Sequence, residues 1–139
     1  MLARWTAFSE DWQEDVGSVA VRTDDGLLFF DPPCSSTLAR QAAAGGVECI
    51  PTARNGEVVS WVPGERAVIV GDVLLGAGAR PRPTDDPLRL CPQRRLAGAN
   101  LEELRESLRP LLGLPVEQVL VSHGAPVTAG GADALAAIL

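Results

Sequence analysis

The chain of 139 residues contains one histidine, His123, and no lysine, so all 12 basic residues are arginine. A single imidazole excludes a metal centre built from clustered histidines, because a catalytic zinc normally keeps three protein ligands and leaves a fourth position to water. The cysteines are Cys34, Cys49 and Cys91, odd in number, widely spaced and without a CxxC pair. That pattern argues for free thiols in a reducing compartment over a disulfide framework or a structural zinc site. No apolar run approaches the roughly 18 residues needed to span a bilayer. The opening MLARWTAFSEDWQED turns acidic without an apolar signal-peptide core. A cytoplasmic location and no membrane partner are therefore expected. The net charge of −6 disfavours nucleic acid as a partner, since such binding rests on neutralising phosphates.

What is present is an ordinary globular composition, 46% hydrophobic and 22% charged. The length suits one domain over 1–139, with a core but no room for two. SVAVRTDDGLLFFD reads as a β-hairpin turning at Asp25-Gly26, and Pro32-Pro33 stop its second strand. Ser35 or Ser36 can cap a helix through TLARQAAA, which Gly45-Gly46 end. VECI reads as a short strand. EVVSWV and AVIVGDVLL read as a second hairpin joined by Pro63-Gly64-Glu65-Arg66, its second strand apolar on both faces as a central strand is. Gly76 to Gly98 read as a long Pro-, Gly- and Arg-rich loop. Asn100 caps an amphipathic helix, NLEELRESLRPLLG, with Glu103 completing a capping box and Leu101, Leu104, Leu108, Leu111 and Leu112 on one face. EQVLVS is a final strand and ADALAAIL a terminal helix. The order fits a layered α/β or α+β domain with helices on sheet faces.

Two strands end in small turns that carry metal-capable side chains. Asp72 follows AVIVG, and His123 follows VLVS and precedes Gly124, where the backbone can bend sharply. Each also has a plain structural reading, a turn-capping carboxylate and a hydrogen-bonded imidazole. Ser122 and His123 are sequence neighbours, which is poor support for a nucleophile–base pair. Cys34, Ser35 and Ser36 read as a helix cap with a free thiol. Arg80, Arg82, Arg89, Arg94 and Arg95 give the long loop a capacity to grip phosphate or an acidic partner, partly neutralised by Asp85 and Asp86. Trp5, Trp12 and Trp61 read as core or interface anchors.

The opening hairpin SVAVRTDDGLLFFDPP with Asp31 at its end, the GD of AVIVGDVLL, the LRPLLGLPVEQ segment and the SHG turn, in that order, resemble the metallo-β-lactamase-fold hydrolases. The resemblance covers about three-quarters of the chain and implies a reduced αββα sandwich with mixed sheets. It also implies roles: the GD aspartate, here Asp72, bridges two metal ions, and the late histidine, here His123, binds the second. The family's main metal motif, HxHxDH, is absent, and the segment between Asp31 and Asp72 is too short for the usual intervening elements. Asp72 and His123 thus supply two ligands, and a third would come from Asp31 or Cys34, or from Cys49, Asp24 or Glu48. A two-metal hydrolytic centre is not buildable from one histidine unless acids and thiolates replace the rest.

Two functions compete. One is a degenerate, non-catalytic binding or assembly module with no cofactor. The other is a reduced hydrolase for an ester, thioester or phosphoester, with a single zinc, iron or manganese held by Asp72, His123 and another side chain. A phosphate or nucleotide binder using the arginine loop is a minor third. A fold shortened in its middle leaves apolar faces and strand edges uncovered, so a homodimer is the expected partner. The small-molecule ligand is not specified by these features.

Overall fold

The computed structural model describes residues 2–9, 14–23, 26–30, 46–80 and 82–139, with side chains over 19–22, 46–80 and 82–139. In chain order the strands are β1 (Leu2–Ser9), β2 (Glu14–Thr23), β3 (Gly26–Phe30), β4 (Glu48–Pro51), β5 (Val58–Val62), β6 (Ala67–Ile69), β7 (Leu74–Gly76), β8 (Leu88–Leu90) and β9 (Gln118–Leu120). The helices are α1 (Leu101–Leu108) and α2 (Gly131–Ala136). Strands β1-β2-β3 form one antiparallel sheet, and β4-β5-β6-β9 a second, in which β6 and β9 run parallel. The short β7-β8 pair is a third. Mixed α and β elements in layers are the expected fold class.

Alternation along the strands of the second sheet builds both sides of the core. Val62, Ile69 and Leu120 pack with Val19 and Val21 of β2 and with Val47. Their neighbours Val59, Trp61, Val68 and Val119 face the other way, onto Leu104, Leu108, Leu111 and Leu135. The described layers are therefore sheet, sheet and helix. Each fully buried leucine contributes on the order of 2 kcal/mol. Trp61 is a core anchor; Trp12 lies outside the described residues, as do the expected TLARQAAA helix, Asp24, Asp31 and Cys34.

Helix α1 begins as its sequence requires. The Asn100 side chain accepts from the Glu103 backbone N–H at 2.9 Å, and the Glu103 carboxylate accepts from the Asn100 N–H at 2.8 Å. Removing this cap in Asn100→Ala is expected to cost about 1 kcal/mol, measurable by urea denaturation.

Several local expectations are corrected. The opening segment contains a strand, β1, and β2 starts at Glu14. The hairpin register pairs Thr23 with Gly26, so the two intervening residues are Asp24 and Asp25. AVIVGDVLL is not one strand: Gly71, at φ 53°, breaks it, and Leu74–Gly76 join a different sheet. The long loop contains β8, whose three residues are too few to show periodicity and are held by pairing with β7. Leu112 is 47% exposed. Pro110 has no N–H to continue the α-helix, and the chain tightens into a 3₁₀ turn over Arg109–Gly113. That turn places Leu111 inward and Leu112 outward.

Candidate functional site

Strands β6 and β9 are parallel neighbours in register, with Ile69 opposite Leu120. Asp72 and His123 each lie three residues beyond that pair. Two side chains so placed must emerge together, at the carboxyl ends of adjacent parallel strands, where α/β sheets commonly place ligands. The backbone carries the alignment past the strands: Val70 N–H donates to Leu120 at 3.0 Å and Ser122 N–H to Gly71 at 3.4 Å. Ser122 is buried there in a backbone role.

The His123 turn is also stitched to the chain leaving β7. Gly76 N–H donates to the His123 carbonyl at 2.9 Å, and Ala125 N–H to Ala77 at 2.8 Å. Gly124 adopts φ +82°, and a Cβ there would stand 2.5 Å from the Gly76 carbonyl oxygen. Only glycine allows the two backbones this approach.

His123 is 1% exposed. Its Nε2 lies 3.0 Å from Oδ1 of Asp72. Oδ1 has no hydrogen bond of good geometry among the described residues, so the contact is one of proximity rather than an aligned bond. The other carboxylate oxygen, Oδ2, is 3.5 Å from Nη1 of Arg54. That same Nη1 is in direct contact with Oε1 of Glu57. The backbone of Asp72 also acts to lower the Glu57 pKa. The chain of groups is thus His123, Asp72, Arg54, Glu57.

Arg54 and Glu57 sit in the β4–β5 turn around Asn55-Gly56. Thr52 N–H donates to the Glu57 carbonyl at 3.3 Å and Glu57 N–H to the Arg54 carbonyl at 3.1 Å. The Ala53 N–H donates to Ser107 Oγ at 3.0 Å, which fastens the turn to α1. Neither Arg54 nor Glu57 was among the sequence candidates. Asn-Gly between two strands is a strong hairpin signal, and it would have marked a turn flanked by opposite charges, though not its neighbour.

Burial works to raise the Asp72 pKa, but His123 and then Arg54 outweigh it and hold the carboxyl below its usual value. Burial also dominates at Glu57, and there it prevails over Arg54, so that carboxyl is raised. At Arg54 burial lowers the pKa, and the attraction of Glu57 and Asp72 more than offsets it, leaving the guanidinium charged. Burial pushes the Cys91 thiol up. Cys91 is 1% exposed, and its N–H donates to the Val73 carbonyl at 2.9 Å, which sets it beside the Asp72 turn.

A depressed carboxyl stabilises the fold above its unfolded pKa, about 4, and that contribution is lost as pH falls through the lower folded value. The raised Glu57 acts in the opposite sense: its contribution is present at low pH and lost as pH rises through its folded value. Asp72→Asn is therefore expected to lose stability at pH 7 and to show a shallower acid limb below pH of about 4 than the parent chain, read from urea midpoints across pH.

Of the other candidates, Cys49 is half-buried against the layer between the sheets, and Glu48 is exposed in β4. Asp31, Cys34 and Asp24 fall outside the described residues. No three His, Cys, Asp or Glu side chains among the described residues come together to hold a metal ion. In the arginine loop, Arg80, Arg82 and Arg94 are exposed, and Arg89 Nη2 donates to the Ala79 carbonyl at 2.6 Å. No helix among the described residues is long and apolar enough to cross a membrane.

No protein-family model matches this chain, and none of the curated proteins does. Eleven chains of solved structures match. One, described as the crystal structure of TTHA1623 in a di-iron-bound form, superposes with a TM-score of 0.59 at 18% identity, covering 94% of this chain and 96% of that one. The layered α/β architecture described above is thus one shared with a solved protein over nearly the full length of both.

Proposed function

We propose that this chain is a non-catalytic binding or assembly module on a degenerate metallo-β-lactamase-like fold. The observation that carries the reading is the occupancy of Asp72. One oxygen is set against His123 and the other against Arg54, so a fixed guanidinium stands beside the carboxylate that the family resemblance assigns to a metal. TTHA1623 is described with two irons. The described residues here do not fit such a centre: no three His, Cys, Asp or Glu side chains among them come together to hold a metal ion, whereas a catalytic zinc ordinarily keeps three protein ligands, and the Arg54 guanidinium stands against Asp72.

The competing reading, a reduced metal-dependent hydrolase for an ester, thioester or phosphoester, draws on the convergence of Nε2 and Oδ1 at 3.0 Å and on the iron in TTHA1623. Turnover assays separate the two. The chain is offered activated esters, thioesters and phosphoesters with added zinc, iron or manganese, alongside Asp72→Ala and His123→Ala. The binding-module reading expects no metal-dependent turnover above buffer. Turnover that needs metal and disappears in both variants would overturn it.

A homodimer remains part of the proposal, as the way a shortened fold completes its core. Light scattering at micromolar concentration is expected to give twice the chain mass of 14.6 kDa. A monodisperse monomer contradicts that part. A cytoplasmic location is likewise proposed, on the odd number and wide spacing of the cysteines.

A further inference from the structure

We infer that the open edge of β8 is where two copies of the chain meet, pairing antiparallel about a two-fold axis at Leu90. The inference rests on the homodimer reading above and gives that dimer a surface and a register.

The open edge follows from the β7–β8 ladder. Leu74 stands opposite Leu90 and Gly76 opposite Leu88, and the Cys91 N–H donates to the Val73 carbonyl at 2.9 Å. Antiparallel ladders alternate bonded and non-bonded pairs. The bond at Cys91 therefore makes Leu75–Arg89 the next bonded pair and turns the main chains of Leu74, Gly76, Leu88 and Leu90 away from the ladder. Gly76 shows this directly: its N–H donates to His123 at 2.9 Å and its carbonyl accepts from the Ala79 N–H at 3.2 Å. On the β8 side no strand among the described residues pairs with Leu88 and Leu90. An unpaired edge is a template for another strand, and a two-fold pair closes it rather than propagating.

There is room beside the strand. A cleft of about 520 Å³ runs along residues 86–92, with Leu101 of α1 and Ala134 and Ile138 of α2 also in its wall. Leu90 and these three side chains pack at the margin of the main core. Directly opposite residues of an antiparallel pair share one face of the sheet. The partner's Leu90 thus comes to lie beside Leu90, over the same apolar wall.

Charge selects a second copy as the occupant. Residues 85–95 read DDPLRLCPQRR, acidic at one end and basic at the other, with Leu90 at the midpoint. Laid antiparallel on itself about Leu90, this segment sets Asp86 against the partner's Arg94 and Asp85 against the partner's Arg95, each twice by symmetry. A parallel copy would set like charges together. Asp86 and Arg94 are exposed, and neither makes an ion pair with another described residue.

The test is sedimentation of the tag-free chain across micromolar concentrations, alongside Asp86→Arg, Arg94→Glu, an equimolar mixture of those two, and Leu90→Pro. The parent is expected to dimerise. Each charge variant alone is expected to associate roughly tenfold or more weakly, because symmetry turns two attractive pairs repulsive at once. The mixture is expected to recover the parent's association, since both contacts regain opposite charges in the mixed dimer. Leu90→Pro removes the central N–H donor at a position where an edge strand tolerates proline, and it is expected to be monomeric. The charge variants lie on exposed positions and carry the test if Leu90→Pro does not fold. A parent dimer that both charge variants leave unchanged, a mixture no stronger than its components, or a folded Leu90→Pro that dimerises like the parent would each overturn the inference and leave the dimer to another surface. A monomeric parent would instead overturn the homodimer reading, and the inference with it, and leave the edge to a strand of another protein.

Discussion

Gly76→Ala is expected to be among the most damaging single substitutions in the chain. A Cβ at Gly76 would stand 1.9 Å from the Ala125 carbonyl oxygen, 2.8 Å from its carbon and 3.0 Å from its nitrogen. All three are backbone atoms, so no side-chain rotation relieves the contact. The backbone around them is held by the Gly76–His123 and Ala125–Ala77 hydrogen bonds and by the Ala77–Ala125 bridge. Relief requires parting the two segments, which breaks those bonds and moves the His123 turn. Overpacking with backbone shift costs about 1–3 kcal/mol, and each lost buried hydrogen bond adds about 1 kcal/mol. A total of about 3–5 kcal/mol is expected, a large share of the roughly 5–15 kcal/mol that holds a domain together. Urea denaturation checks it; a change below about 1 kcal/mol would show the segments part easily.

The second large effect is expected at Arg54. Arg54→Ala leaves Glu57 and Asp72 without their shared counter-charge, at side-chain exposures of 9% and 16%. Breaking a buried ion pair from one side costs about 3–5 kcal/mol, and the partial exposure of this group brings the expectation to about 2–3 kcal/mol. The cause can be read from a second substitution. Glu57→Gln in the Arg54→Ala background is expected to recover part of the loss, because it removes one of the two abandoned charges. Additive losses in the double variant would assign the role of Arg54 to packing instead.

The sequence showed the elements with strong local signals. The Asn100–Glu103 capping box, the Pro63-Gly64 hairpin and the leucine face of α1 are each written within a few residues. Asp72 and His123 were legible as strand-end residues, and parallel pairing of β6 with β9 is what makes them neighbours. Arg54 and Glu57 were not legible as site residues. Their closeness to Asp72 depends on how the β4–β5 turn leans against α1, which is a long-range contact between Ala53 and Ser107. β8 was missed for a related reason, since three residues carry no period and its partner β7 was itself read as the tail of β6. Leu112 was misplaced because helical spacing was carried through Pro110, where the chain tightens.

Metal content of the parent chain, purified without a histidine tag and measured by elemental analysis before and after incubation with excess zinc, tests most directly whether a guanidinium stands where a metal would. The expected result is no stoichiometric zinc, iron or manganese in either sample. About one metal per chain, lost in His123→Ala, would contradict it and make Asp72 and His123 working ligands.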